Sequence, residues 1–302
     1  MLDLSAKSQL GKTFFTLAAC KNFQDKNPHG VIVYFESENA LTKEILESRG
    51  LDLSRFAHIP VATIQEFKNQ ALRIIDEKIK EKNSSNDLPL LFVLDSLGNL
   101  STSKEMEDSA AGSDTRDLTR SQIIKAAFRV LSLKMGVVDV PMIFTNHVYD
   151  KIGAGPYAGK EQGGGRGSKY AASLTVNLTK AKEKDGESVI GSIITCTLVK
   201  ARLLKEQTKV KILIKFNGGL DRYYGLIELA EKAGVFKKIS TKYEMPDGKK
   251  YFGKTIMKNP EEFFTADVLD SIDEYVQREF KYGSGSSNEP FDCDTEESEN
   301  DE

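Results

Sequence analysis

The chain has 302 residues, 39% of them hydrophobic and 29% charged, a balance that builds one sizeable core with a smaller lobe and excludes a mostly disordered chain. No run approaches the roughly 20 apolar residues that a membrane-spanning helix needs, and the opening MLDLSAKSQLGK lacks the basic and apolar regions of a secretion signal, so no membrane partner and a cytoplasmic location are expected, that of a host cell if the source is viral. The formal charge of −3 conceals an acidic arm: from Gly283 onward Glu289, Asp292, Asp294, Glu296, Glu297, Glu299, Asp301 and Glu302 stand without a Lys or Arg, and the body without these eight acids is near +5, which suits a nucleic-acid partner without being specific to one.

Apolar runs alternate with amphipathic stretches, the pattern of strands joined by helical crossovers in a mainly parallel α/β sheet. The first element is the end of a strand that runs into the octet Ala6, Lys7, Ser8, Gln9, Leu10, Gly11, Lys12 and Thr13, followed by a helix over 13–23. The octet has the spacing of a P-loop. In such a loop backbone N–H groups and the helix N-terminus cradle phosphates, a lysine neutralises the β and γ phosphates and a hydroxyl ligates magnesium. A nucleoside triphosphate and Mg2+ are therefore expected there, with Lys12 and Thr13 in those roles. Ala6 stands where such loops usually have a first glycine, which a side chain tolerates if φ stays negative.

A strand over 31–35 leads into Glu36, Ser37 and Glu38. A carboxylate at the C-terminal end of a strand beside the P-loop strand can polarise an attacking water. Two-residue spacing puts both acids on one face, so the residues alone leave the choice between them open, and solvent-facing acids would look the same. A helix over 40–49, a strand over 58–61 and a helix over 64–82 follow. The strand LLFVLD, 90–95, ends in Asp95, placed to hold the hydration shell of a P-loop magnesium; the plainer reading is a buried strand capped by Asp-Ser. After a helix over 118–133, the strand over 141–146 ends in Asn146 and His147, where a polar side chain can touch a γ-phosphate, although an isolated histidine reads equally well as a strand cap.

Segments 101–114 and 149–168 match no element, and loops this long inside a domain are usually functional. The second holds seven glycines, among them Gly153 and Gly165, and Lys151, Lys160 and Arg166 within it, with Lys169 just after it, are phosphate-binding cations. Arg166 is the favoured single contact. Strands over 173–178, 192–199 and 210–216 then follow one another across turns such as EKDGE, which predicts an antiparallel edge. The reading divides the chain into a core over 1–226, a small C-terminal lobe over 227–282 with a hairpin at YEMPDGKKYFG and a helix over 265–280, and a disordered acidic tail over 283–302. Cys20, Cys196 and Cys293 fit neither a disulfide framework nor a zinc site.

These elements, in this order, resemble the RecA family of recombinases, and within it the UvsX-type recombinases of T4-like bacteriophages. The stretches that carry the resemblance are YFESENALT, VLDSLGNLSTSKEMED, FTNHVYDKIG, GGGRGSKYAAS, VKARLLKE and KFNGGLDRYYGL, spread over residues 6–226. The resemblance implies a RecA-type P-loop NTPase core and a DNA-dependent ATPase that binds single-stranded DNA, assembles into filaments and exchanges strands with homologous duplex DNA in recombination, repair and recombination-dependent replication. It makes the nucleotide ATP, gives Glu38 the general-base role beside Lys12 and makes His147 the γ-phosphate sensor. Segments 101–116 and 150–169 become the two DNA loops, with Arg116, Lys151, Gly153, Gly165, Arg166 and Lys169 as contacts. Lys200 and Arg202 match a basic pair that reaches a neighbouring protomer's ATP. Single-strand-binding and mediator proteins are further partners that it leaves room for.

Only Met1–Ser5 precede the octet, so the sequence reads as starting inside its own first core strand, without the N-terminal helix and strand that dock family members onto one another. Weak filament formation and unmade ladder bonds beside a short first strand are expected from that. Two other readings remain at this stage. A RecA-fold helicase shares the P-loop and the acidic strand end, and a truncated ATP- or DNA-binding module would no longer exchange strands.

Overall fold

The computed structural model describes residues 1–8, 10–84, 87–113, 117–149, 161–162 and 167–281, without the side chains at 149, 161, 162 and 169. Within these residues the chain divides into two compact units, Met1–Arg202 with Glu206–Arg222, and Leu203–Lys205 with the chain from Tyr223 on.

In the first unit, unbroken apolar runs become interior parallel strands because both faces of the sheet are covered by helices. β2 (Val31–Glu36) and β4 (Leu90–Asp95) are buried at every position but the first. With β1 (Leu2–Ala6), β3 (Phe56–Pro60), β5 (Met142–Tyr149), the two-residue β6 (Glu161–Gln162), β7 (Leu174–Asp185), β8 (Ser188–Ala201), β9 (Lys209–Lys215) and β10 (Gly219–Leu220) they form one sheet, in the order β10-β9-β8-β7-β1-β5-β4-β2-β3, with β6 on β5. The pairs from β3 through β1 to β7 are parallel. From β7 to β10 the strands run antiparallel, and the turn predicted at EKDGE joins β7 to β8 through Gly186 at φ +60°.

β1 is central, and all five of its residues are in register with both β5 and β7. Each of those five residues has a partner on both sides, while β5 and β7 extend beyond them. On one face of the sheet α3 (Ile64–Glu81) and α5 (Arg120–Val137) press an aromatic chain into the core: Phe35 meets Phe67 and Phe92 at 5.1 and 5.7 Å, and Phe128 meets Phe144 at 5.0 Å. Each such ring contributes about 1.5–3 kcal/mol by leaving water. A second cluster gathers Leu17 and Cys20 of α1 (Lys12–Lys26) with Tyr34, Val93 and Ile143.

Segment 101–114, expected to be without structure, contains α4 (Ser103–Ala110). A capping box explains it: the Thr102 hydroxyl accepts the Glu105 N–H at 3.1 Å, and the Glu105 carboxylate accepts the Thr102 N–H at 2.8 Å. The helix predicted from residue 40 starts later, as α2 (Lys43–Ser48), where the Thr42 side chain accepts the Ile45 N–H as its cap. A short α6 (Gly167–Ala171) precedes β7.

The second unit builds its own core. α7 (Leu226–Lys232), a three-stranded antiparallel sheet of β11 (Lys237–Ile239), β12 (Lys242–Glu244) and β13 (Lys250–Phe252), α8 (Gly253–Lys258), α9 (Pro260–Phe263) and α10 (Ala266–Phe280) enclose Ile227, Phe236, Ile256, Phe264 and Ile272. The predicted hairpin forms between β12 and β13, turning at Gly248 with φ +81°. Among the described residues no helix is long and apolar enough to cross a membrane.

Candidate nucleotide site

Four parallel strands, β1, β2, β4 and β5, run the same way, and residues at or near their C-terminal ends come together. β1 delivers Ala6, which is buried and lies within the strand rather than among the residues of positive φ. The missing glycine is therefore accommodated, since a Cβ is unstrained in that conformation. Gly11 caps α1 in the left-handed region, at φ +86°, where glycine is the residue that fits. Lys12 opens the helix, with its Nζ 3.5 Å from the Lys7 carbonyl and 3.4 Å from His147 Nδ1. Burial holds the Lys12 ammonium below its ordinary pKa, while the charges of Glu38 and Asp95 pull it back up. A phosphate placed there would stabilise the charge that burial disfavours.

Asp95, at the end of β4, is 5% exposed and accepts three hydroxyls. Thr13 Oγ1 donates to Oδ2 at 2.7 Å, Tyr34 Oη to the same oxygen at 2.8 Å, and Thr145 Oγ1 to Oδ1. A hydroxyl and a carboxylate this close are the hard oxygen donors that magnesium prefers when phosphates and water complete its shell, so the residues fit that ion.

The two acids expected to share a face do not, because β2 ends at Glu36 and the alternation ends with it. Glu36 is 3% exposed and accepts His58 Nε2 at 2.9 Å as well as the Ala40 N–H. Glu38 belongs to the cluster: its Oε1 accepts the Ser96 hydroxyl at 2.9 Å and lies 3.3 Å from His147 Nε2. A histidine protonated on Nε2 satisfies both contacts, accepting from Lys12 and donating to Glu38. Gly98 makes this packing possible, since a Cβ there would stand 2.8 Å from His147 Cδ2. Arg120 Nη2 donates to the Gly98 carbonyl at 2.9 Å and the Leu100 carbonyl at 2.8 Å, fixing the same turn. The Asp95–Ser96 peptide is cis.

Lys200 and Arg202 lie elsewhere. Lys200 faces Thr175, near the start of β7, whereas Ala6 faces Leu178, so the cation sits about three residues, or ~10 Å of strand, back along the sheet from the phosphate end. Its ammonium donates to the Ala172 carbonyl at 2.7 Å and the Tyr170 carbonyl at 3.3 Å. Arg202 follows the end of β8, and its N–H donates to the Ser173 carbonyl at 3.2 Å. Gln9, Arg116, Lys151, Gly153, Gly165 and Arg166 lie outside the described residues, and Lys169 falls in α6 without a described side chain.

Sequence reasoning missed Tyr34, Thr145, Ser96 and Gly98. Tyr34 carried a faint signal, as a hydroxyl inside an otherwise apolar strand that leads to an acidic end.

A glycine-capped loop between a central parallel strand and a helix, with a carboxylate against the first helical hydroxyl, defines the class as a P-loop α/β core. The family model for the RecA N-terminal domain matches residues 3–221, and the chain belongs to the RecA family. It is 29% identical over 238 residues to the "Recombination and repair protein" of Enterobacteria phage T4, covering 79% of this chain and 59% of that protein. It is 25% identical over 297 residues to "Protein RecA" of Streptomyces rimosus, covering 98% of this chain and 74% of the relative. Against "Protein RecA" of Paracoccus denitrificans the identity is 25% over 248 residues, 82% of this chain and 66% of the relative. The chain thus spans less than two thirds of the length of the phage protein.

Proposed function

We propose that the protein is a DNA-dependent ATPase of recombination and repair, binding single-stranded DNA and exchanging it into homologous duplex. The observation that carries this is the meeting of Lys12, Thr13, Asp95, Glu38 and His147 at one strand end, in a chain related to recombination proteins.

ATP lies along the loop from Ala6 to Thr13, its phosphates held by backbone N–H groups, the N-terminus of α1 and the Lys12 ammonium. Thr13 and Asp95 would hold magnesium, which when bound neutralises charge on the phosphates. Glu38 orients the attacking water and takes its proton. It is 33% exposed and so open to water, unlike Glu36, whose carboxylate is engaged with His58 and the Ala40 N–H. His147, between Lys12 and Glu38, is the natural reporter of a γ-phosphate, and through Gly98 it leads to the turn preceding α4.

DNA contacts fall to the two loops, with Arg116, Lys151, Gly153, Gly165, Arg166 and Lys169 as the residues to test. Lys200 and Arg202 act on a neighbour's nucleotide in a filament, a reading supported by their distance from the phosphate end of their own chain. The test is phosphate release with and without single-stranded DNA. Hydrolysis should be stimulated by DNA and weakened by salt as loop cations lose their counterion advantage. Failure to bind ATP, or hydrolysis indifferent to DNA at every salt concentration, would contradict the proposal.

A further inference from the structure

Asp95 accepts one more hydroxyl at its Oδ2 than the magnesium reading requires. Beside Thr13 at 2.7 Å, the Tyr34 hydroxyl donates to that oxygen at 2.8 Å. Tyr34 lies in the middle of β2 with 0% exposure, stacked on Phe56 with ring centroids 5.4 Å apart and planes 28° apart, and packed among Leu17, Cys20 and Val93. The ring has no room to leave its place in a core packed to organic-crystal density. The hydroxyl donates to Asp95 Oδ2 from this fixed place. Phenylalanine would fill the same space among these apolar neighbours, so the packing does not call for the hydroxyl. Its hydrogen bond goes to the carboxylate.

We propose that Tyr34 is a positioning residue for the magnesium site, an inference that rests on the reading of Thr13 and Asp95 as the magnesium pair. A proton donated from the rigid core fixes Asp95 Oδ2 where it receives the Thr13 proton. The Thr13 oxygen then keeps its lone pairs for the metal. Thr145 holds the other oxygen, so the carboxylate is restrained at both atoms. Fixing a ligand through hydrogen bonds behind it commonly changes metal affinity by about 10–100-fold.

The full chain is titrated by calorimetry with a non-hydrolysable ATP analogue, first with a chelator and then at rising Mg2+. For the native chain, magnesium should strengthen nucleotide binding. Tyr34→Phe should bind the metal-free analogue as the native chain does, melt cooperatively, and need about tenfold more Mg2+ to reach half of the gain. Asp95→Asn should lose most of the gain. If Tyr34→Phe follows the native Mg2+ dependence while Asp95→Asn loses the gain, the positioning role is wrong and the magnesium pair stands. If Asp95→Asn also keeps the gain, the magnesium reading itself fails. Weaker metal-free binding or lost cooperative melting in Tyr34→Phe would assign the hydroxyl to core stability and overturn the proposal.

Discussion

The two ends of β1 present opposite situations. At the C-terminal end, Lys12, Thr13, Asp95, Glu38 and His147 reach one another within a single chain, through contacts of 2.7–3.4 Å. Toward the other end Lys200 donates to the carbonyls of Tyr170 and Ala172. The first end carries the marks of a site whose parts are already assembled. The second holds a cation whose charge is partly met by backbone carbonyls of its own chain. In the proposed function, one strand thus separates what the chain would do alone from what it would do with a neighbour.

The largest effect should come from striking the assembled end. Lys12→Ala removes a buried ammonium and should lower hydrolysis by about 10²–10³-fold, measured as phosphate release with single-stranded DNA. Turnover within a few fold of the native value would break the comparison at its strongest point. Glu38→Gln should retain ATP affinity and lose about 10²-fold or more in turnover. Glu36→Gln should keep more activity than Glu38→Gln but melt at lower temperature, because disturbing a buried, charged hydrogen-bonded group costs about 1–3 kcal/mol. The opposite ranking of the two variants would exchange their roles.

A steric change tests the same end without removing a reacting group. Gly98→Ala forces a Cβ against His147 Cδ2, which stands 2.8 Å from where that atom would sit, and should reduce DNA stimulation several-fold while basal ATP binding persists. Stimulation equal to native would show that the turn does not transmit the state of His147. At the other end, Lys200→Ala should leave ATP binding by the dilute chain unchanged and shift stability by about 1 kcal/mol. It should lower hydrolysis only where chains assemble on DNA. A loss of ATP binding in dilute solution would erase the distinction between the two ends.

Much of the assembled end was legible because its chemistry is tied to chain geometry. The Ala6–Thr13 spacing and the acid closing LLFVLD mark places where strands stop and ligands sit, and Thr13 meets Asp95 across 82 positions of sequence as that reading requires. Strand alternation alone could not separate Glu36 from Glu38, because it does not say where the strand ends. Tyr34 was hidden by its own hydrophobicity, since a tyrosine in an apolar run reads as packing and its hydroxyl partner comes from a strand 61 residues away. α4 was overlooked although its capping box stands in the sequence as Thr102-Ser103-Lys104-Glu105; the polar, acidic character of the segment masked a helix stabilised by its cap. For Lys200, the resemblance named the residue but not the backbone carbonyls that its flexible ammonium finds.

The proposal places ATP binding in one chain and, through Lys200 and Arg202, makes hydrolysis depend on an assembly. It is tested most directly by measuring both across protein concentration. Mg-ATP analogue should bind the dilute chain with one nucleotide per chain and an affinity independent of concentration, while phosphate release per chain with single-stranded DNA should rise as chains are brought together. Binding that appears only at concentrations where chains associate, or turnover per chain that is the same at every concentration, would contradict the account.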